Sequence, residues 1–166
     1  MHKPKGVRLA SELSSSRNKP EKRKKTPRQC AMDRADNWFS KYIRLKYSFE
    51  SGGELFCKCY TCGNIKPILE SENGHWQRRG YKTTRFHPND ARPQCHQCNY
   101  HYQGKPEVFE INLIRDIGQD KVNELKKLAQ QIGEDNESFY REQASKYRKL
   151  FNMILKERNI KSPWKN

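Results

Sequence analysis

Aliphatic residues are scarce in this sequence. Leu, Ile, Val and Phe together supply only 29 of 166 positions, and nowhere do they gather into a run long enough to span a bilayer. Acidic residues are outnumbered, with 19 Asp and Glu against 34 Lys and Arg, which leaves a formal charge of +15. No apolar run stands near the N-terminus, so neither a signal peptide nor a membrane partner is expected. Few aliphatics with so much charge is ordinarily the composition of disorder. Three Trp, eight Tyr, seven Phe and six Cys must therefore supply what the core lacks. At this length one domain with a tail is expected.

The charge is unevenly spread. Residues 1–28 carry ten basic and two acidic side chains, residues 57–104 seven and three, and residues 134–166 eight and five, while the intervening segments are balanced. This distribution suits a polyanion as partner, because each Lys or Arg beside a phosphate releases counterions. A merely solubilising tail is the plainer alternative.

Residues 1–28, polar and without apolar period, read as a basic flexible arm. Asp33 can cap a helix running to about Phe49, with Ala35, Trp38, Phe39, Tyr42 and Ile43 on one face and "ESGG" as its end. "ELFCKCYTCGNIKPILESENGHW" reads as short strands joined by turns, "GYKTTRF" as another extended piece and "HPNDARP" as a loop. Apolar residues at helical spacing predict helices over 107–117 and 120–132, closed by Gly118 and Gly133, and a long final helix over 136–159. The aromatic stripe of that last helix reads chiefly as core. The expected class is α+β: a small metal-stabilised core within residues 29–133, flanked by helices, and a C-terminal helix in residues 134–166.

Two Cys-x-x-Cys pairs punctuate the centre, Cys59 and Cys62 followed by Gly63, then Cys95 and Cys98, with 32 residues between them. Zinc takes four soft or borderline ligands in a tetrahedron, and one tight Cys-x-x-Cys turn presents two thiolates. Without secretory features the pattern predicts a closed structural zinc site rather than disulfides. Cys57-x-Cys59 offers an alternative pair with poorer spacing. Cys30 reads as a lone thiol, and His96, inside the second pair, is expected to face solvent.

Asn99 directly follows the last of these cysteines, His101 comes two residues later, and His75 lies between the pairs. Zinc would tie the start of a short helix to the strands and bring Asn99 close to His75. That layout resembles the ββα-metal, or HNH, nucleases. The resemblance implies a strand histidine that deprotonates water and a residue at the helix start that holds Mg²⁺ or Mn²⁺ on the scissile phosphate. On this reading His75 is the base, and Asn99 and His101 hold the catalytic ion. Asp90, at the middle position of the motif, accepts the imidazole's other N–H. Arg78, Arg79, Lys82 and Arg85 contact phosphate, with Arg85 steadying the scissile group. Glu72 is a further acidic candidate, although strand alternation places it on the face opposite His75 unless the strand bulges. Each residue also has a plainer reading: a buried histidine, a helix-capping asparagine, an exposed helix histidine, a turn aspartate, a solvated charge run.

The run "CYTCG…ENGHW…TRF…QCHQCNYHYQG", followed by "FEINLIRDIGQDKVNEL", is similar to the bacteriophage NinG/Rap recombination proteins over about residues 28–128. The resemblance implies a structure-specific endonuclease acting on branched DNA such as Holliday junctions and D-loops. It implies a cytoplasmic location in the bacterial host if the chain is phage-encoded. A homodimer would suit a two-fold junction, with the aromatic-studded C-terminal helix supplying the contact, and the basic arm and that helix would grip duplex arms through phosphates. The sequence departs from related patterns in three places, one being that the basic arm stands where some family members have an extra cysteine-rich finger. Gly74 stands where some junction nucleases with these knuckles have a metal-binding aspartate, and Asp90 stands where HNH proteins have Asn. The alternatives are a non-catalytic zinc-ribbon protein that binds nucleic acid, and an HNH nuclease acting on ordinary duplex.

Overall fold

The computed structural model describes residues 24–164, so most of the expected arm lies outside the described residues. Helix α1 spans Pro27–Lys46 and begins earlier than an Asp33 cap predicts. The hydroxyl of Thr26 accepts from the Gln29 N–H at 3.2 Å, and the Gln29 side chain accepts from the Thr26 N–H at 2.9 Å. This reciprocal box sits behind a proline in the first turn, a strong start signal. The helix also ends before Phe49. Strand β1 (Ser48–Ser51) follows at once, and "ESGG" is not a helix end but the turn into β2 (Glu54–Lys58). Gly52 and Gly53 both hold positive φ, +60° and +79°, and Ser51 pairs with Glu54 across them. Two such residues in succession are what a tight hairpin turn demands.

A three-stranded antiparallel sheet is completed by β3 (Ile65–Pro67). A separate hairpin pairs β4 (Ser71–His75) with β5 (Ala91–Cys95), in register from Ser71 opposite Cys95 to His75 opposite Ala91. Strand β5 occupies part of the segment expected to be a loop. Pro93 is tolerated because this ladder has only two strands, and its carbonyl accepts from the Tyr60 N–H at 2.8 Å. "GYKTTRF" is turns rather than a strand, and leads into a 3-10 turn over Pro88–Asp90. After β5 comes a π-helical turn, Gln97–His101. Helices α2 (Pro106–Ile117), α3 (Gln119–Ala129) and α4 (Glu137–Glu157) complete the order. Helix α3 stops short of Ile132, which is fully exposed.

Helices α1 and α4 bury an aromatic seam. Phe39, Tyr42 and Ile43 meet Tyr140, Tyr147 and Phe151, with the Phe39 ring 4.7 Å from that of Tyr147 and 5.7 Å from that of Phe86. The Tyr147 hydroxyl donates to the Phe86 carbonyl, so its polar end is satisfied. Each such large side chain contributes about 1.5–3 kcal/mol on burial, which is how aromatics stand in for missing aliphatics. The aromatic face of α4 is thus consumed within its own chain and is not presented for a dimer contact. A second core joins α2 and α3 to the end of β4 through Trp76, packed with Phe109, Leu113, Val122 and Leu125. Among the described residues no helix is long and apolar enough to cross a membrane.

Candidate functional site

Cys59 and Cys62 follow β2, Cys95 ends β5, and Cys98 lies in the π-helical turn; their four sulfurs fall within 4.8 Å of one another. A tetrahedron with bonds of about 2.3 Å separates its corners by about 3.8 Å. The sulfurs of Cys62 and Cys95 are 3.8 Å apart. The set can therefore hold a metal ion such as zinc. Gly63, at φ +77°, turns the chain back so that its N–H donates to the Cys59 carbonyl at 2.9 Å. Burial opposes a thiolate at Cys59, but backbone N–H groups of Cys62, Cys95 and Thr61 outweigh it and bring the thiol down to about 7. Cys57 stands apart from the cluster. Its S–H donates to the Arg44 carbonyl at 3.3 Å, and burial pushes its thiol up to about 11. Cys30 is a lone exposed thiol on α1.

His75 ends β4, half-buried, its ring 5.7 Å from that of Phe39. Its Nε2–H donates to the Arg85 carbonyl at 2.9 Å. A carbonyl can only accept, so the proton resides on Nε2 and Nδ1 is the free acceptor. Burial drives the imidazole pKa down to about 4, against the support of the Arg85 carbonyl, so the ring is neutral at pH 7. Asn99 lines the same two cavities as His75, one of about 350 Å³ and one of about 480 Å³. Asn73 and Arg79 border both. Arg78 borders the larger, while Asp36, Arg44 and Glu72 border the smaller. Asn73 Oδ1 is buried with no hydrogen-bond partner.

Glu72 shares this cavity although the β4–β5 ladder is unbroken, contrary to the expectation from strand alternation. Its long side chain reaches the helical turn: Oε2 accepts from Asn99 Nδ2 and Oε1 from His96 Nδ1, each at 2.6 Å. Burial opposes its charge, but these two donors hold the carboxyl below the ordinary range. His96 is exposed as expected, yet it is tied to Glu72 rather than free.

Several expected roles are not met. The Arg85 side chain is buried and grips Asp36 of α1 through two donors, at 2.9 and 2.5 Å, with a third bond to the Arg79 carbonyl at 2.8 Å. It is spent on the fold, and what it offers His75 is its carbonyl. Asp90 does not touch the imidazole. It is fully buried, its Oδ1 accepts from the Gln77 N–H at 3.0 Å, and burial raises its carboxyl to about 8. Lys82 pairs with Asp135 at 3.5 Å, next to the Arg28–Asp135 bridge. His101 is exposed against the rings of His96 and Tyr100 and borders neither cavity. Of the four basic candidates, Arg78 and Arg79 alone line the cavities.

Gly74 also has a definite cause. A Cβ there would fall 1.9 Å from Gln94 Oε1, and Gln94 is fixed by donating to the Gly104 carbonyl at 2.8 Å and to Thr61 at 2.5 Å. No side chain, an aspartate included, fits before His75 while Gln94 holds that place. Asp36 was missed in the sequence, but a signal existed. Asp36, Ser40 and Arg44 recur at four-residue spacing beside the apolar face of α1, and all three line the smaller cavity.

The family model described as Bacteriophage Lambda NinG protein matches residues 2–161. Among curated proteins, the chain is 25% identical over 104 residues to protein ninG of Escherichia phage lambda, a match covering 59% of this chain and 48% of that protein. Protein ninG of Escherichia phage 933W and that of Enterobacteria phage VT2-Sa are each 25% identical over 104 residues, covering 59% of this chain and 49% of theirs. The chain thus spans about half the length of the curated relatives it matches. No solved structure matches it.

Proposed function

The chain belongs to the Bacteriophage Lambda NinG protein family, and from that premise we propose that it is a metal-dependent DNA endonuclease of the ββα-metal, or HNH, kind that cuts branched recombination intermediates. One observation carries this reading: His75, neutral and with only its Nε2 engaged, and Asn99 line the same cavities, beside a four-cysteine cluster that ties strand to helical turn.

The chemistry follows from the residues. Four thiolates leave zinc no open position, so that ion is structural. His75 Nδ1 takes a proton from water as the water oxygen attacks phosphorus and the bond to the departing strand end breaks. Arg78 and Arg79 hold the phosphate from the cavity rim. The oxygens of Glu72 and Asn99, with the unpartnered Oδ1 of Asn73, are hard donors of the sort that suit Mg²⁺ or Mn²⁺. Such an ion, when bound, supplies charge stabilisation on the phosphate oxygens. The preference for Holliday junctions and D-loops rests on family membership, and a homodimer would match a two-fold junction.

A second reading, a zinc protein that binds nucleic acid without cutting it, is favoured by a specific contact. Glu72 and Asn99 already satisfy one another, as a purely structural pair would. The two readings part when purified protein is incubated with a labelled four-way junction and with linear duplex of equal sequence, with and without Mg²⁺. Mg²⁺-dependent cutting of the junction over the duplex is expected. Equal cutting of both removes the branch preference, and no cutting removes the nuclease. A mass measurement giving one chain per junction would remove the dimer.

A further inference from the structure

Beside the cavity, the π-helical turn exposes aromatic rings in an ordered array. Tyr100 is 70% exposed, well above the usual exposure of a ring this size. One of its faces is covered: His96 lies against it at 5.2 Å with the two planes within 11° of parallel. His96 is in turn held by Glu72, whose other oxygen holds Asn99. Cys98, in the middle of the turn, belongs to the four-sulfur cluster, and the Tyr102 N–H closes the turn on the Gln97 carbonyl at 3.0 Å. The Tyr100 ring is thus packed by His96 on one face and approached by His101, nearly perpendicular to it at 5.4 Å, yet it stays 70% exposed, one residue from the cavity. Tyr102 is 49% exposed, takes a hydrogen bond from Gln97 at 3.2 Å, and carries the Lys105 ammonium 4.5 Å from its ring centre.

From this we propose that the exposed face of Tyr100 is a stacking platform for one unpaired base of the DNA, extruded next to the cavity that holds His75 and Asn99. The proposal rests on the nuclease reading for its partner but on a separate surface for its contact. The occupant follows from charge and shape. Arg78 and Arg79 in the adjoining cavity, with Lys105 at the start of α2 just after this turn, suit a phosphate backbone. A flat ring already stacked on one side, and rigidly held, matches the π-face of a base at little entropic cost. A continuous duplex offers no free base face, whereas a branch point or bulge does, so the platform discriminates branched from paired DNA without reading sequence.

The test uses the full chain without added Mg²⁺, on a duplex carrying one bulged 2-aminopurine and on a matched duplex with that base paired. The wild type should quench the bulged probe and bind it about tenfold more tightly than the paired duplex. Tyr100→Ala should lose the quenching and the preference while keeping its metal content and helical signal; Tyr100→Trp should keep both. Equal binding of the two DNAs, no binding at all, or a Tyr100→Ala protein that still quenches and discriminates would each overturn the platform. Adding Mg²⁺ then tests the nuclease separately. Cutting that proceeds while Tyr100→Ala behaves as wild type sinks the platform alone. A Tyr100-dependent preference without any cutting sinks the nuclease alone.

Discussion

The Nε2–H of His75 donates to the carbonyl of Arg85 at 2.9 Å, while the side chain of the same arginine is clamped by Asp36. A single residue therefore joins an ion pair on α1 to the tautomer of the candidate base. The imidazole's free nitrogen is decided by a backbone oxygen, and the position of that oxygen by a guanidinium.

Replacing His75 with Ala should lower Mg²⁺-dependent cutting by about 10²–10⁴-fold and leave metal content and DNA affinity unchanged. In the wild type, activity should persist well below pH 6.5 and fall as pH drops through about 4, where Nδ1 takes up a proton. The folded pKa is depressed, so the stability linked to this group is complete above the unfolded value and lost as pH falls through about 4. A pH–rate profile breaking near 6.5 would contradict this.

Asp36→Ala leaves the Arg85 guanidinium, only 10% exposed, without its counter-charge. Fully buried pairs cost about 3–5 kcal/mol to break in this way. Asp36 retains 20% exposure, which brings the expected loss to about 2–3 kcal/mol. Arg85→Lys, which keeps the charge but not the fork, should also destabilise, by less. Thermal melts of the two variants check the order.

Gly74→Ala should destabilise by about 1–3 kcal/mol, since its methyl group meets the Gln94 amide and not a strained backbone. Combining it with Gln94→Ala should cost less than the sum of the two single changes, a coupling read from denaturant unfolding. Strict additivity would mean that Gly74 is required for another reason.

Asp90→Asn should stabilise the protein above neutral pH. The folded carboxyl titrates at about 8, far above its unfolded value, because burial opposes the charge. Its favourable contribution is full at low pH and is lost as pH rises through about 8. The variant keeps an acceptor for Gln77 and should gain about 1–3 kcal/mol at pH 9 but little at pH 5. Melting temperatures across that range would show it.

Cys95→Ser should abolish binding of one zinc per chain and unfold the strand-to-turn junction, because structural zinc binding is itself folding free energy. Cys57→Ser should leave the metal content intact, since that sulfur faces the Arg44 carbonyl. Metal analysis of the two variants separates the roles.

Local chemistry was largely legible in the sequence. Apolar periodicity placed α2 and α4 within a residue or two, because each buries a continuous stripe. The spacing of the Cys-x-x-Cys pairs selected the four clustered sulfurs over Cys57. Thr26, Pro27 and Gln29 carry the start signal of α1 more strongly than Asp33 does, and Gly52-Gly53 is the signature of a hairpin turn rather than of a helix end.

What the sequence determined, then, is what depends on neighbours a few positions apart: caps, turns, helix stripes and the thiolate pairs that can gather around one ion. The tertiary structure alone decided which charges remain available. Arg85 and Asp36 stand 49 positions apart, and Glu72 and Asn99 27 apart, yet each pair closes to hydrogen-bond distance. A charge neutralised across the fold is no longer free for a phosphate, and no local pattern records that neutralisation.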